Sequence, residues 1–399
     1  MSNIILWYDN EKYNNCFDGT DLTYPTNTIR EKLKRLNIDY QIKLTSTGAL
    51  LKHDKNFFII EVQNVFKEHN IFATLSKHTK KLLSSKELNL VIWYPREGHE
   101  IDWINSFYQS LKQNDLLSAN VYLVYGDYDV EDNYKEFISN SNIPSFLTPL
   151  YIDYFKSDLI ETSTASNTLM PKGKPLDFLF YNGKMRPHRA FAVAELTHRN
   201  LLKNGLVSLL GATYTGESYT IEDIKKMCDN VDIDIPKHIY NFLDNWQPMI
   251  LDKKPSDLDM KNLNQLNYEH YLKTYFSIVS ETNMRYRFIT EKTYKPIYNL
   301  HPFIILGAPH TLKLLKEMGY KTFPELFNES YDSEIDPHKR FLMVIDEVEK
   351  FCNLSLKEKR EIFSSVTEKL LYNKLHYIES HNKNSKNDFL KLFGAIHES

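Results

Sequence analysis

Short apolar runs recur along the chain, separated by amphipathic stretches. Asn3–Tyr8 (NIILWY), Asn56–Val62 (NFFIIEV), Leu88–Tyr94 (LNLVIWY) and Val121–Tyr125 (VYLVY) predict strands. Ile29–Leu36, Val65–Phe72 and Trp103–Lys112 predict helices between them. Strand and helix in alternation are the mark of a parallel sheet with crossover helices. A polar, small-residue stretch, Ser163–Lys174 (STASNTLMPKGK), reads as a linker. The pattern then restarts, with strands at Leu176–Tyr181, Leu206–Leu210, Tyr275–Val279 and Phe303–Leu306 and a helix over Pro187–Asn204. Phe341–Phe393 reads as helices with a polar break near Ser380–Lys386. The expected fold class is α/β, two Rossmann-like domains facing a cleft, followed by C-terminal helices. The expected boundaries are 1–165 for an N-terminal domain, 172–345 for a second, and 346–399 for a helical segment free to pack back on the first.

Composition narrows the function classes. The 399 residues are 42% hydrophobic, enough for sizeable cores, and the net charge of −3 argues against a wholly cationic nucleic-acid binder. Cys16, Cys228 and Cys352 are far apart and form no CxxC, as expected in a reducing compartment and without a zinc site. The start, MSNIILWYDNEKYNN, lacks the basic and apolar regions of a signal peptide, and no run reaches the roughly 18 apolar residues of a membrane span. These features predict a cytoplasmic protein, in the host cytoplasm if the source is viral. No Gly-x-Gly-x-x-Gly follows the first strand and no Walker A motif occurs, which disfavours a dinucleotide oxidoreductase or a P-loop enzyme.

Ligands of such sheets bind outside the carboxyl ends of the strands, and the candidate residues cluster there. In SIVSETNMRYRFITEKTYKPIYNLHPFIILG, Ser280-Glu281-Thr282 ends one strand and Thr290-Glu291-Lys292 opens a helix. A helix N-terminus suits phosphate, a carboxylate there can hold a ribose diol, and a lysine can pair with phosphate. Arg285 and Arg287 add charge. A bland reading remains: Thr290 as a simple N-cap, with solvated arginines. In FYNGKMRPHR, Asn182, Lys184, Arg186, His188 and Arg189 crowd another strand-to-helix junction, and paired arginines fit a diphosphate through forked hydrogen bonds. In WYPREGHE, Glu97 follows a buried strand and is the first candidate for a general base, with His99 and Glu100 as alternatives. Between Arg30 and Glu87, twelve Lys/Arg face six Asp/Glu, so a polyanionic acceptor is conceivable beside the plainer reading of solvated helix faces. Asp127-Tyr128-Asp129 has the form of a metal-binding Asp-x-Asp, but the triplet type recurs at Asp232–Asp234 and Asp257–Asp259, and no metal site is expected.

The stretch ETNMRYRFITEKTYKPI…PFIILG resembles the nucleotide-binding motif of α1,3-fucosyltransferases, where Phe-Glu-Asn is followed by Asp-Tyr-Val-Thr-Glu-Lys. It is more similar still to phage, giant-virus and bacterial nucleotide-sugar glycosyltransferases with a Thr-Glu-Lys motif. Thr282 stands where the fucosyltransferase tripeptide has Asn, and Lys295-Pro296 where that family has an Ala-rich helix. The resemblance spans residues 176–340. It implies a glycosyltransferase-B architecture and an inverting, metal-independent transfer from a UDP- or GDP-linked sugar, with no other cofactor. The implied donor-binding residues are Asn182, Arg186, Arg189, Glu281, Thr290, Glu291 and Lys292. Glu97 is similar in spacing to the basic Glu of a Trp-x-x-x-Glu-Ser-Pro motif, although Gly98 replaces the Ser. The acceptor is expected to be a glycan or a hydroxymethylated base in viral DNA. The alternative is a non-catalytic nucleotide-sugar or glycan-binding protein on a decayed transferase fold.

Overall fold

The computed structural model describes residues 4–9, 27–46, 50, 55–62, 72–95, 98, 101, 103–155, 175–212, 218–229, 235–252, 254, 267–380 and 385–398. The chain divides into two compact units, Met1–Ser157 with Ser380–Ser399, and Asp158–Glu379. Each is α/β and each is built on a parallel sheet.

The first unit contains β1 (Ile4–Tyr8), β2 (Tyr40–Leu44), β3 (Lys55–Glu61), β4 (Asn89–Tyr94), β5 (Val121–Tyr125) and β6 (Thr148–Tyr151), in the order β2-β1-β3-β4-β5-β6. All adjacent pairs are parallel. Helices α1 (Asn27–Arg35), α2 (Lys77–Ser84), α3 (Ile104–Gln113) and α4 (Val130–Asn140) lie between strands. The central strand shows why its sequence is nearly all apolar. Leu90, Ile92 and Tyr94 enter one core, and Val91 and Trp93 enter the core on the opposite face. A strand covered on both faces has no polar side to display. The helix α14 (Ser385–Glu398) at the far end of the chain belongs to this unit, where Phe389 and Phe393 join the second of those cores. Phe393 packs 5.0 Å from Phe57 and Phe389 5.7 Å from Trp93, centroid to centroid.

The second unit contains β7 (Leu176–Phe180), β8 (Gly205–Val207), β9 (Thr274–Ser280) and β10 (Phe303–Leu306), in the order β10-β9-β7-β8 and again parallel. Its helices are α5 (Pro187–His198), α6 (Ile221–Asp229), α7 (Lys237–Asp244), α8 (Tyr268–Leu272), α9 (Glu291–Tyr298), α10 (Thr311–Glu317), α11 (Pro337–Cys352), α12 (Leu356–Ser365) and α13 (Thr367–Glu379). Leaving β7, the chain places β8 on one side and β9 on the other. The carboxyl ends of β7 and β9 therefore border the point where strand order reverses, the usual ligand crevice of an open α/β sheet. Gly205 begins β8 because a Cβ there would lie only 2.3–2.6 Å from three atoms of the Phe178 ring.

Two predicted elements differ from the structure. The helix expected over Pro187–Asn204 stops at His198, and Asn200 takes a left-handed φ of 58° before a 3₁₀ turn at Leu202–Asn204. The strand expected at Leu206–Leu210 is Gly205–Val207, since Leu209 pairs instead in an isolated antiparallel bridge with Met249. Most of the helix expected at Val65–Phe72, and the linker Ser163–Lys174, lie outside the described residues. Among those described, no helix is long and apolar enough to cross a membrane.

Burial also sets a titration. His301, 2% exposed, receives or gives hydrogen bonds at both ring nitrogens: Nδ1 with Ser277 Oγ at 2.8 Å and Nε2 with Thr274 O at 2.9 Å. Desolvation lowers its pKa to about 4, against the weaker upward pull of the Thr274 carbonyl. The unfolded chain, with an ordinary imidazole, binds the proton first, so stability falls as pH drops from about 6.5 toward 4, by about 1.4 kcal/mol per unit from this group. His301→Asn removes that contribution. Urea midpoints at pH 7.5 and pH 5 are expected to converge in the variant relative to the native protein. A second expectation concerns α14: Phe393→Ala costs about 3–5 kcal/mol of unfolding free energy, measured by denaturant titration, because it empties a core position shared by β3 and α14.

Candidate functional site

The turn after β7 runs from Tyr181 to Arg186. Arg186 is extended (φ −145°, ψ 147°) at the N-cap position, and Pro187, with its fixed φ and no N–H to satisfy, opens α5. This brings His188 and Arg189 into the first turn, beside the end of β9. His188 Nε2 lies 2.9 Å from the carbonyl of Glu281, to which it donates as a neutral ring. Burial, followed by the neighbouring Arg189, Arg186 and Lys292 cations, pushes its pKa down to about 3 against that single backbone bond. Arg186 and Lys292 thus share one electrostatic neighbourhood although they stand on different elements.

Arg189, 4% exposed, directs its guanidinium into the scaffold. Nη1 donates to Lys184 O at 2.8 Å, Nη2 to Ser280 O and Glu281 O at 3.4 Å each, and Nε to Ser280 Oγ at 3.4 Å. It ties the turn after β7 to the end of β9. Arg340, 1% exposed on α11, does the same for the loop after β9. It donates to Gly307 O at 2.9 Å, Met284 O at 2.5 Å, Glu334 O at 2.6 Å and Ile335 O at 3.1 Å. Burial lowers its pKa to about 10, partly opposed by Asp332, Glu334 and Asp336, and it stays charged at neutral pH.

Glu281 closes the arrangement. Its backbone N–H extends the β9–β10 ladder to Leu306 O at 2.9 Å. Its carboxylate, in a side chain 1% exposed, takes three bonds from the start of α9: Thr290 N at 3.0 Å, Thr290 Oγ1 at 2.6 Å and Thr293 Oγ1 at 2.6 Å. Thr290 Oγ1, having donated its proton, accepts from Lys292 N at 3.3 Å and Lys292 Nζ at 3.1 Å. A hydroxyl has one proton and two lone pairs, and all three are used. Lys292 Nζ also meets Glu291 Oε1 at 2.9 Å. Burial alone would raise the Glu291 pKa, but Lys292 and Lys295 outweigh it and hold the carboxyl below its usual range, hence ionised.

The structure thus gathers Arg186, Arg189, Glu281, Thr290, Glu291 and Lys292 at one edge, with Asn182 at the end of β7. Asn182, Arg189, Glu281, Thr290 and Glu291 are buried, while Lys292 keeps 28% of its side chain exposed. Arg285 is exposed and its N–H is held by Asn283 Oδ1 at 2.7 Å. Glu97, with Arg96, His99 and Glu100, lies outside the described residues. Asp127 is fully buried and accepts from Asp129 N at 3.1 Å and Asn133 Nδ2 at 2.6 Å, shaping the start of α4. Among the described residues no group of His, Cys, Asp or Glu is arranged to hold a metal.

Two features were missed in the sequence. Arg340 looks like any charged residue on an amphipathic helix. Asp9, just beyond β1, accepts from Ser76 N at 2.6 Å, Ser76 Oγ at 2.5 Å, Thr45 Oγ1 at 3.2 Å and Thr79 Oγ1. It anchors α2 at the carboxyl edge of the first sheet. Nothing local marks it, because its partners come from just past β2 and from the start of α2.

No family model matches the sequence, and no curated protein matches it. Among solved structures, T4 phage BGT in complex with its UDP-glucose substrate is similar at 11% identity and a TM-score of 0.43, over 98% of this chain and 99% of that one. A point mutant of T4 phage BGT with UDP-glucose is similar at 10% identity and a TM-score of 0.41, over the same shares. Likeness of that degree says nothing of what this chain binds.

The Glu281 clamp is directly testable. Glu281→Ala strands a buried N–H and two hydroxyls, and is expected to lower unfolding free energy by about 3 kcal/mol. Glu281→Gln, which keeps shape and one acceptor oxygen, is expected to lose less than half of that in the same urea titration.

Proposed function

We propose that the protein is a glycosyltransferase that moves a sugar from a nucleotide-sugar donor to a hydroxyl acceptor, with the donor held at the carboxyl edge of the second sheet. The observation that carries this reading is the hydrogen-bonded chain joining the turn after β7 to the α9 N-terminus, Arg189 to Glu281 O and the Glu281 carboxylate to Thr290, beside the point where strand order reverses, with Arg186 at the start of α5 and Lys292 at the start of α9. A nucleoside diphosphate is the leaving group of such a transfer. Its charge grows as the glycosidic bond breaks, and fixed cations and N–H groups stabilise that charge in a site shielded from water. Lys292 is the partly exposed cation of the pair with Glu291. If it turns to phosphate, the ionised Glu291 is left to accept from a ribose diol. Arg189 adds positive charge from inside the scaffold, while Glu281 and Thr290 set where the α9 N-terminus stands. His188, neutral, adds none.

Metal-independent transfer fits a site whose charge compensation comes from side chains, and an inverting course needs a base for the acceptor hydroxyl. A UDP- or GDP-linked sugar is the donor class, and a glycan or a hydroxymethylated base in viral DNA the acceptor class. The base for the acceptor hydroxyl is assigned to Glu97 on its sequence context.

The reading is tested by binding and by turnover. A nucleotide sugar at about 100 Kd stabilises the fold by roughly 2.7 kcal/mol, so UDP-, GDP- and CMP-sugars are compared by thermal shift. Lys292→Ala and Arg186→Ala are each expected to weaken the binding ligand by roughly ten- to a hundred-fold, the worth of about 1.5–3 kcal/mol for a charged hydrogen bond. Release of nucleoside diphosphate in the presence of acceptor should persist in excess EDTA. A protein that none of these sugars stabilises is not a transferase of this kind, and activity that returns only with Mn²⁺ or Mg²⁺ removes the metal-independent mechanism.

A further inference from the structure

The unused hydrogen-bonding capacity of Asn182 is one-sided. The residue lies just past β7 and is 1% exposed. Its backbone N–H donates to Ser208 Oγ at 3.1 Å, its carbonyl accepts from Leu210 N at 3.0 Å, and its Nδ2 donates to Ser208 O at 3.2 Å. The last bond sets the orientation of the carboxamide, because turning it over would put Oδ1 against a carbonyl oxygen. Among the described residues, Oδ1 is left buried and without a hydrogen-bond partner. Buried amide oxygens are normally paired, and one without a partner is destabilising. This one stands at the ligand edge of the sheet, at the head of the turn that carries Lys184 and Arg186.

We infer that Asn182 Oδ1 accepts a hydrogen bond from a neutral O–H or N–H of the bound donor and thereby determines donor specificity. The inference rests on the donor-site reading above. The chemistry excludes a phosphate oxygen from this position, since at neutral pH it carries no proton to give. A ribose hydroxyl, a hydroxyl of the transferred sugar and a ring N–H of the base all qualify. A site built around a buried acceptor rejects an analogue that lacks the matching donor, because the acceptor is again left unpaired.

The experiment is calorimetry with UDP-glucose on the native protein, Asn182→Leu and Asn182→Asp. The analogues are 2′-deoxyribose, 3′-deoxyribose and N3-methyluracil forms of UDP-glucose, and UDP without the sugar, which separate ribose, base and sugar as the source. If UDP-glucose does not bind and GDP-mannose does, the matching guanosine set is used. One analogue is expected to bind the native protein roughly ten-fold or more weakly than the parent. That penalty is expected to vanish in Asn182→Leu and to persist in Asn182→Asp, which keeps an acceptor oxygen at the Oδ1 position and lowers the ligand-free melting temperature because its other oxygen faces Ser208 O. The ligand-free melting temperature of Asn182→Leu should stay near the native value, because an unpaired acceptor leaves along with one bond. The inference is overturned if the native protein tolerates every analogue within about two-fold, or if the penalties are unchanged in Asn182→Leu. Should Asn182→Leu not fold, loss of the penalty in Asn182→Asp overturns it. Failure of the donor-site reading looks different: the native protein then binds neither UDP-glucose nor GDP-mannose, and this inference falls with it.

Discussion

The second unit depends on one carboxylate. Glu281 directly follows β9 and binds the first turn of α9 through Thr290 N, Thr290 Oγ1 and Thr293 Oγ1. A helix start has orphan N–H groups and a positive dipole end, and a carboxylate answers both. Here the carboxylate comes from nine residues upstream, just past the strand, so the capping bond also sets the distance between sheet and helix. Thr290 then passes the order outward to Lys292 through its two lone pairs. The site's partly exposed cation is placed by the same bonds that hold the fold.

A second constraint is how the buried arginines are compensated. In the bonds seen among the described residues, Arg189 and Arg340 give their N–H groups mainly to backbone carbonyls. Carbonyl dipoles satisfy the hydrogen bonds without cancelling the charge. The neighbourhood therefore stays electropositive, which adds to burial in keeping His188 neutral. A pairing of Arg189 with a carboxylate would hold the same loops and remove the field an anionic ligand requires. Glu281, the nearby acid, is turned toward α9 instead.

Much of this architecture was legible in the chain. Val121–Tyr125 and Phe303–Leu306 coincide with β5 and β10, because runs buried on both faces stand out from amphipathic surroundings. Thr290 as N-cap and Pro187 at the first turn of α5 are local rules, readable from a few adjacent residues. The short β2 was not read, because its residues alternate weakly and are only partly buried. The premature end of α5 was missed because the Asn200 turn has no glycine to announce it.

Sequence by itself determined the parallel α/β class, the restart of the pattern in the second half, and the gathering of cations and acids at strand ends. Those follow from periodicity and from chemistry within a short window. Only the tertiary structure decided which of these groups face inward. It turned Glu281 toward α9, engaged Arg189 and Arg340 with carbonyls, and left Asn182 Oδ1 unpaired. It also brought α14 onto the first sheet from the far end of the chain. A hydrogen bond's partner is set by three-dimensional proximity, and residues as far apart as Met284 and Arg340 become neighbours only when the sheet and its helices have closed.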